Sequence, residues 1–115
     1  MEWIVLAAAL VLFYLLKMRG AKGVSNITAA ELENRLNDRN AFFLDVRTNG
    51  EFKGRHIRGF KNIPLGSDFS KLPHDKEIIV ICQSGMRSQT ACKQLKKLGY
   101  ANVTNVRGGM NSWRG

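Results

Sequence analysis

Cysteine is scarce in this chain. Cys82 and Cys92 are the only two, and no CxxC pair is present. A helix that opens near Met86 would carry Cys92 about 9 Å along its axis. That is beyond the roughly 7 Å over which two Cα atoms can be bridged by a disulfide. Two free thiols are therefore expected, in keeping with a reducing compartment. The two histidines, His56 and His74, have no ligand partners at useful spacing, so no metal site is expected. Acidic residues are also few, 9 against 18 lysines and arginines, for a formal net charge of +9. Such a balance suits small anionic substrates, acidic proteins or anionic lipid heads. Few aromatics interleave with the basic residues and no recognition motif is present, which argues against nucleic acid. Internal repeats and low-complexity tracts are absent too. With 115 residues the chain has room for one small domain.

Charge is missing altogether from Trp3 to Leu16 (WIVLAAALVLFYLL). Fourteen helical residues span about 21 Å, against a hydrocarbon core of roughly 30 Å. Counting from Met1 to Met18, with Glu2 and Lys17 reaching for the interfaces, extends the span to about 27 Å. Trp3 and Tyr14 sit near the two ends, as interfacial aromatics do. A cleaved signal peptide is disfavoured by Glu2 in place of a basic n-region and by the lack of a small-x-small site after Leu16. A buried core helix is the other alternative. The expectation is a transmembrane anchor over residues 1–19, a flexible linker over 20–26 and a folded domain over 27–115. The basic residues Lys17, Arg19 and Lys22 follow the apolar run. By the positive-inside rule they place a single-pass protein in the cell membrane with its catalytic domain in the cytoplasm.

Within the folded part, Thr28-Ala29-Ala30-Glu31 forms a capping box, with Ile27 and Leu32 as a hydrophobic staple. A helix is predicted over about Ala29 to Asn37. Ala41 to Val46 reads as a strand. Thr48-Asn49-Gly50-Glu51 is a second capping box, opening a short helix. Asn62 to Leu65 reads as a brief extended segment. Glu77 to Ile81 reads as the most buried strand. Met86 to Leu98 is predicted to be a helix with Ala91, Cys92, Leu95 and Leu98 on one face, ended by Gly99. Val103 to Val106 is a last strand before a terminal helical turn containing Met110 and Trp113. Alternating strands and helices imply an α/β fold with a mostly parallel sheet flanked by helices. Sites in such sheets lie beyond the carboxyl ends of the strands. Asp45 and Cys82 both fall there.

Cys82 closes a run of four β-branched residues and precedes a short loop, Gln83-Ser84-Gly85-Met86-Arg87-Ser88, that leads into a helix. Converging backbone N–H groups at such a position favour a thiolate, the nucleophilic form. Cys92 shares a helix face with Leu95 and is read as core. Asp45 and Arg47 are placed to brace the site rather than to react. His56 is read as structural, because a thiolate needs no base. Arg55, Arg58 and Lys61 are read as solvated surface.

These segments resemble the rhodanese family of sulfurtransferases. The resemblance rests on Leu44-Asp45-Val46-Arg47, Glu51-Phe52, the run Gly54-Arg55-His56-Ile57-Arg58-Gly59-Phe60-Lys61-Asn62-Ile63-Pro64, the Cys82-x-x-Gly85-x-Arg87-Ser88 loop and Gly108-Gly109-Met110-x-x-Trp113. With the apolar segment in front, the chain looks like the membrane-anchored bacterial single-domain type. The resemblance implies transfer of sulfane sulfur from a small anionic donor such as thiosulfate. The sulfur would pass through a persulfide on Cys82 to cyanide, a thiol or a sulfur-accepting protein, with no cofactor. It also implies that Gln83 to Ser88 present N–H groups to the persulfide, with the Ser84 and Ser88 hydroxyls as further donors. Arg87 would hold the donor's oxygens or stiffen the loop. Related cysteine phosphatases place five residues between cysteine and arginine. Here only four intervene, which leaves too few loop N–H groups for a tetrahedral oxyanion. The alternative role is a membrane-tethered binding or sulfur-carrier module without small-molecule turnover.

Overall fold

The computed structural model describes residues 2–21 and 23–115, with the side chains of 14–21 outside the described set. Five strands form one sheet in the order β1-β5-β4-β2-β3, and every neighbouring pair is parallel. The strands are β1 (Val24–Ile27), β2 (Ala41–Asp45), β3 (Lys61–Asn62), β4 (Glu77–Ile81) and β5 (Val103–Val106). The helices are α1 (Glu2–Ala21), α2 (Ala29–Glu33), α3 (Asn49–Gly54) and α4 (Met86–Lys97), with a 3-10 turn at Gly109–Ser112.

Strand β4 lies at the centre, between β5 and β2, and Ile78 to Ile81 are fully buried. A parallel strand covered on both faces must be apolar on both, which is why four β-branched residues occur in succession. Side chains alternate between two cores. Leu44, Ile78, Val80 and Val103 pack with Ala91, Cys92 and Leu95 of α4 on one side. Phe43, Ile79, Ile81 and Val106 pack with Leu32, Ile57, Phe60 and Met110 on the other. Each of these fully buried aliphatic side chains contributes about 1.5–3 kcal/mol.

Both predicted capping boxes are present. Thr28 and Thr48 accept from the N–H groups of Glu31 and Glu51, whose carboxylates accept from the threonine N–H groups in return. Helix α2 is shorter than expected, because Asn34 caps it and the chain continues as turns to residue 37. Leu98 caps α4 and is exposed rather than buried. It lines an open surface cleft with Phe69 and Gln94 instead of continuing the buried stripe of Ser88, Ala91, Cys92 and Leu95. Residues 24–27, expected to lie mostly in a linker, form edge strand β1 paired in register with β5.

The expectation of a transmembrane anchor is overturned. Among the described residues, no helix is long and apolar enough to cross a membrane. The physical reason is length: the charge-free run of fourteen residues covers only about 21 Å of a roughly 30 Å hydrocarbon core. The single-pass placement in the cell membrane, the membrane as a partner through residues 1–19 and the cytoplasmic orientation rested on that helix and fall with it. Lys22, the side chains of Tyr14, Lys17 and Arg19, and Met1 lie outside the described residues, so their expected interfacial roles do too.

Candidate functional site

Cys82 follows directly on β4, and its side chain is fully buried among the residues beneath α4. The loop that leaves it turns back at Gly85, whose φ of +101° is in the left-handed region. A Cβ there would also press on the Gly108 backbone nitrogen at 3.2 Å. This turn brings the Gly85 N–H to 3.0 Å from Cys82 Sγ. Ser88, in the first turn of α4, sets its Oγ 3.3 Å from Sγ as acceptor of the thiol hydrogen. Among the described residues, the Gly85 N–H is the one loop N–H within hydrogen-bonding distance of Sγ. The expected cradle of N–H groups from Gln83 to Ser88 is not closed around the sulfur. Ser84 and Met86 point outward, and Met86 is 75% exposed.

The loop is braced from two directions. From β2, the Asp45 carboxylate accepts from the Arg47 backbone N–H at 2.9 Å and from Nε and Nη2 at 3.1 and 2.8 Å. Both side chains are buried. The remaining Arg47 donors reach Gln83 Oε1 and the carbonyl oxygens of Glu51 and Arg55. Asn62 donates to the carbonyls of Asp45 and Arg47. One buried guanidinium thus ties β2, α3 and the cysteine loop together. From the C-terminus, the Met110 and Asn111 N–H groups donate to the carbonyls of Cys82 and Gln83, both at 2.9 Å. Gln83 Nε2 also donates to Asn111 Oδ1 at 2.7 Å.

Arg87 is engaged within the protein. Nη1 and Nη2 donate to the two carboxylate oxygens of Glu51 at 2.7 and 2.9 Å. That pairing draws the Glu51 carboxyl down to about 2, with the Thr48 backbone and hydroxyl donors adding to it and burial opposing. It also holds the Arg87 guanidinium more firmly charged. The pairing ties the end of the cysteine loop to α3. Glu51 therefore both caps α3 and anchors α4. His56 stacks on Phe52 and bonds its carbonyl through Nδ1 at 2.8 Å. Arg55, Arg58 and Lys61 are exposed as expected.

The two cysteines are free and buried. Burial, with a smaller effect from Cys82, pushes the Cys92 thiol up to about 12. Cys92 is therefore a core residue, unsuited to nucleophilic work at neutral pH. Sequence reasoning missed Asn105, which stands beside Ser88, and Asn111. A polar side chain at a position that shares the buried face of Val103 was the available signal for Asn105. Nothing in the sequence distinguished Asn111.

Comparison with known proteins agrees with this architecture. Residues 28–115 match the rhodanese-like domain model. A sulfurtransferase of Allochromatium vinosum is 33% identical over 94 residues, covering 78% of this chain and 88% of that protein. A putative sulfur carrier protein of Bacillus subtilis is 41% identical over 81 residues, 68% of this chain but only 44% of that longer protein. The crystal structure of a rhodanese-like domain protein from Staphylococcus aureus superposes with a TM-score of 0.71 at 29% identity, covering 78% of this chain and 91% of that one. The motifs in order, the parallel sheet and the looped cysteine at the end of its central strand agree with these matches: the chain belongs to the rhodanese-like domain family.

Proposed function

We propose that this protein is a sulfurtransferase that carries sulfane sulfur as a persulfide on Cys82. The observation that carries the reading is the Gly85 N–H held 3.0 Å from Sγ at the end of the central strand. With thiosulfate as donor, the Cys82 thiolate attacks the outer sulfur. A new S–S bond forms, the S–S bond of thiosulfate breaks, and sulfite departs with the electron pair. Attack by cyanide or a thiolate on the outer persulfide sulfur then gives thiocyanate or a new persulfide and returns the Cys82 thiolate. The Gly85 N–H supports negative charge on the cysteine sulfur in both half-reactions. Gln83 and Ser88 hold the loop through Arg47, Asn111 and the first turn of α4.

A second reading, delivery of the persulfide sulfur to a protein acceptor, has its own support. Arg87 is committed to Glu51 and so offers a small oxyanion less than a free guanidinium would. Met86 presents an apolar side chain next to the loop. The similarity to a putative sulfur carrier points the same way. Thiosulfate–cyanide turnover and transfer of sulfur from the loaded protein to glutathione and to a thiol protein test the two readings together. Turnover lost in Cys82→Ser supports the first. Transfer to the thiol protein with negligible cyanide turnover supports the second. Neither activity, or either one persisting in Cys82→Ser, refutes sulfur transfer at this site.

A further inference from the structure

Two polar side chains lie buried beside the Cys82 sulfur in an otherwise apolar layer: Ser88 at 0% exposure and Asn105 at 1%. Burying a hydroxyl or an amide without partners costs about 1–3 kcal/mol each, so their contacts indicate what they do. Asn105 lies on β5 opposite Val80, two residues before Cys82 on β4. Its Nδ2 donates to Asn26 Oδ1 on β1 at 3.4 Å. That contact orients the amide and turns Oδ1 toward Ser88, whose Oγ stands 2.5 Å away. A serine hydroxyl has one proton. Three acceptors surround it here: Asn105 Oδ1, the Gly85 carbonyl at 3.0 Å and Cys82 Sγ at 3.3 Å. With the proton on Asn105, the oxygen lone pairs of Ser88 face the sulfur and accept the thiol hydrogen. A thiolate has no hydrogen to offer. It gains from Ser88 only when the hydroxyl proton leaves Asn105 and turns to Sγ.

We propose that Asn105 is a positioning residue for the reacting sulfur and acts through Ser88, holding the hydroxyl proton away from Sγ and so favouring the resting thiol. The Gly85 N–H donates to sulfur in either state. The charged and titratable groups facing Cys82 from the surrounding elements are Arg87 with its partner Glu51 on α3, the Asp45–Arg47 pair at the end of β2, and the Cys92 thiol of α4. None of them bonds Ser88 or Asn105. The effect of Asn105 is therefore separable from theirs.

The inference rests on Cys82 being the reacting thiol. It is tested by the pH dependence of Cys82 alkylation by iodoacetamide in the full chain, with Cys92→Ala so that one thiol reports. Ser88→Ala removes both the acceptor of the thiol hydrogen and the hydroxyl through which Asn105 acts, so it is the background in which the effect of Asn105 must vanish. Asn105→Leu removes the competing acceptor and moves the half-maximal rate down by about half a pH unit or more. In Ser88→Ala/Asn105→Leu the downward shift disappears, because Asn105 acts only through the hydroxyl. If leucine prevents folding by circular dichroism, Asn105→Val gives the same sign. An upward or null shift on replacing Asn105, or an equal shift with and without Ser88, overturns the proposal. Alkylation reports on the thiol whether or not sulfur is transferred. A protein that shows these shifts but accepts no sulfur retains this inference and loses the proposed function.

Discussion

Arg87 and Glu51 form a two-pronged ion pair between α4 and α3, with N···O distances of 2.7 and 2.9 Å, 36 residues apart in sequence. Both side chains are about one-third exposed, so the pair adds less than about 1 kcal/mol to global stability. Its consequence is local, because it fixes the first turn of the helix into which the cysteine loop runs. A carboxylate held below its ordinary value stabilises the fold above that ordinary value and loses the contribution as pH falls through the folded one. The pair is therefore intact at pH 5 and is lost only toward pH 2. Carbon-13 NMR of the Glu51 carboxyl is expected to show a midpoint near 2. Arg87→Met moves that midpoint up toward the ordinary glutamate range.

The Asp45–Arg47 pair behaves differently. It is buried, and Arg47 alone connects to Gln83, Glu51 and Arg55. Removing one member strands the other charge without water. Arg47→Met is expected to lower unfolding free energy by about 3–5 kcal/mol in urea titration. Glu51→Gln should cost less than about 1 kcal/mol.

Gly109 is packed against the peptide that follows Cys82. A Cβ at this position would overlap the Cys82 carbonyl oxygen and meet the Gln83 carbonyl carbon at 2.9 Å, and its φ of +55° is itself left-handed. Gly109→Ala must displace either the 3-10 turn or the start of the cysteine loop. The expected result is a loss of about 1–3 kcal/mol in stability and a fall of roughly tenfold in sulfur loading of Cys82. Gly50→Ala, where the added carbon meets nothing within 4 Å, serves as the matched control.

Cys92 makes a prediction of opposite sign in pH. Its folded thiol stays protonated up to about 12, whereas the unfolded thiol ionises near 9.0. The unfolded state therefore binds fewer protons in that interval, and stability declines as pH rises through it. Cys92→Ala is expected to remove part of that decline, measured by urea unfolding at pH 8 and pH 10. Peptide mapping after mild alkylation at pH 8 should find no label on Cys92, and Cys92→Ser should keep sulfurtransferase activity.

Much of this architecture is legible in the residues because local rules and packing agree. The capping boxes at Thr28 and Thr48, the β-branched run of β4 and the Ala91, Cys92, Leu95 stripe each specify one element. What escaped depends on contacts remote in sequence. Val24 to Ile27 carries exposed Ser25 and Asn26 and follows glycines, so it reads as linker. Only pairing with β5 makes it a strand. The partner of Arg87 lies on another helix, so its role as anchor could not be separated from oxyanion binding. The N-terminal run is plainly hydrophobic, but its charge-free part covers only about 21 Å of a roughly 30 Å hydrocarbon core. Asn105 was hidden by the strand pattern around it.

The central claim is that Cys82 accepts a sulfur atom, and intact-protein mass after thiosulfate treatment tests it most directly. The chain is expected to gain the mass of one sulfur atom, which dithiothreitol removes, and Cys82→Ser to gain none. No gain in the unaltered chain, or an equal gain in Cys82→Ser, would contradict the account.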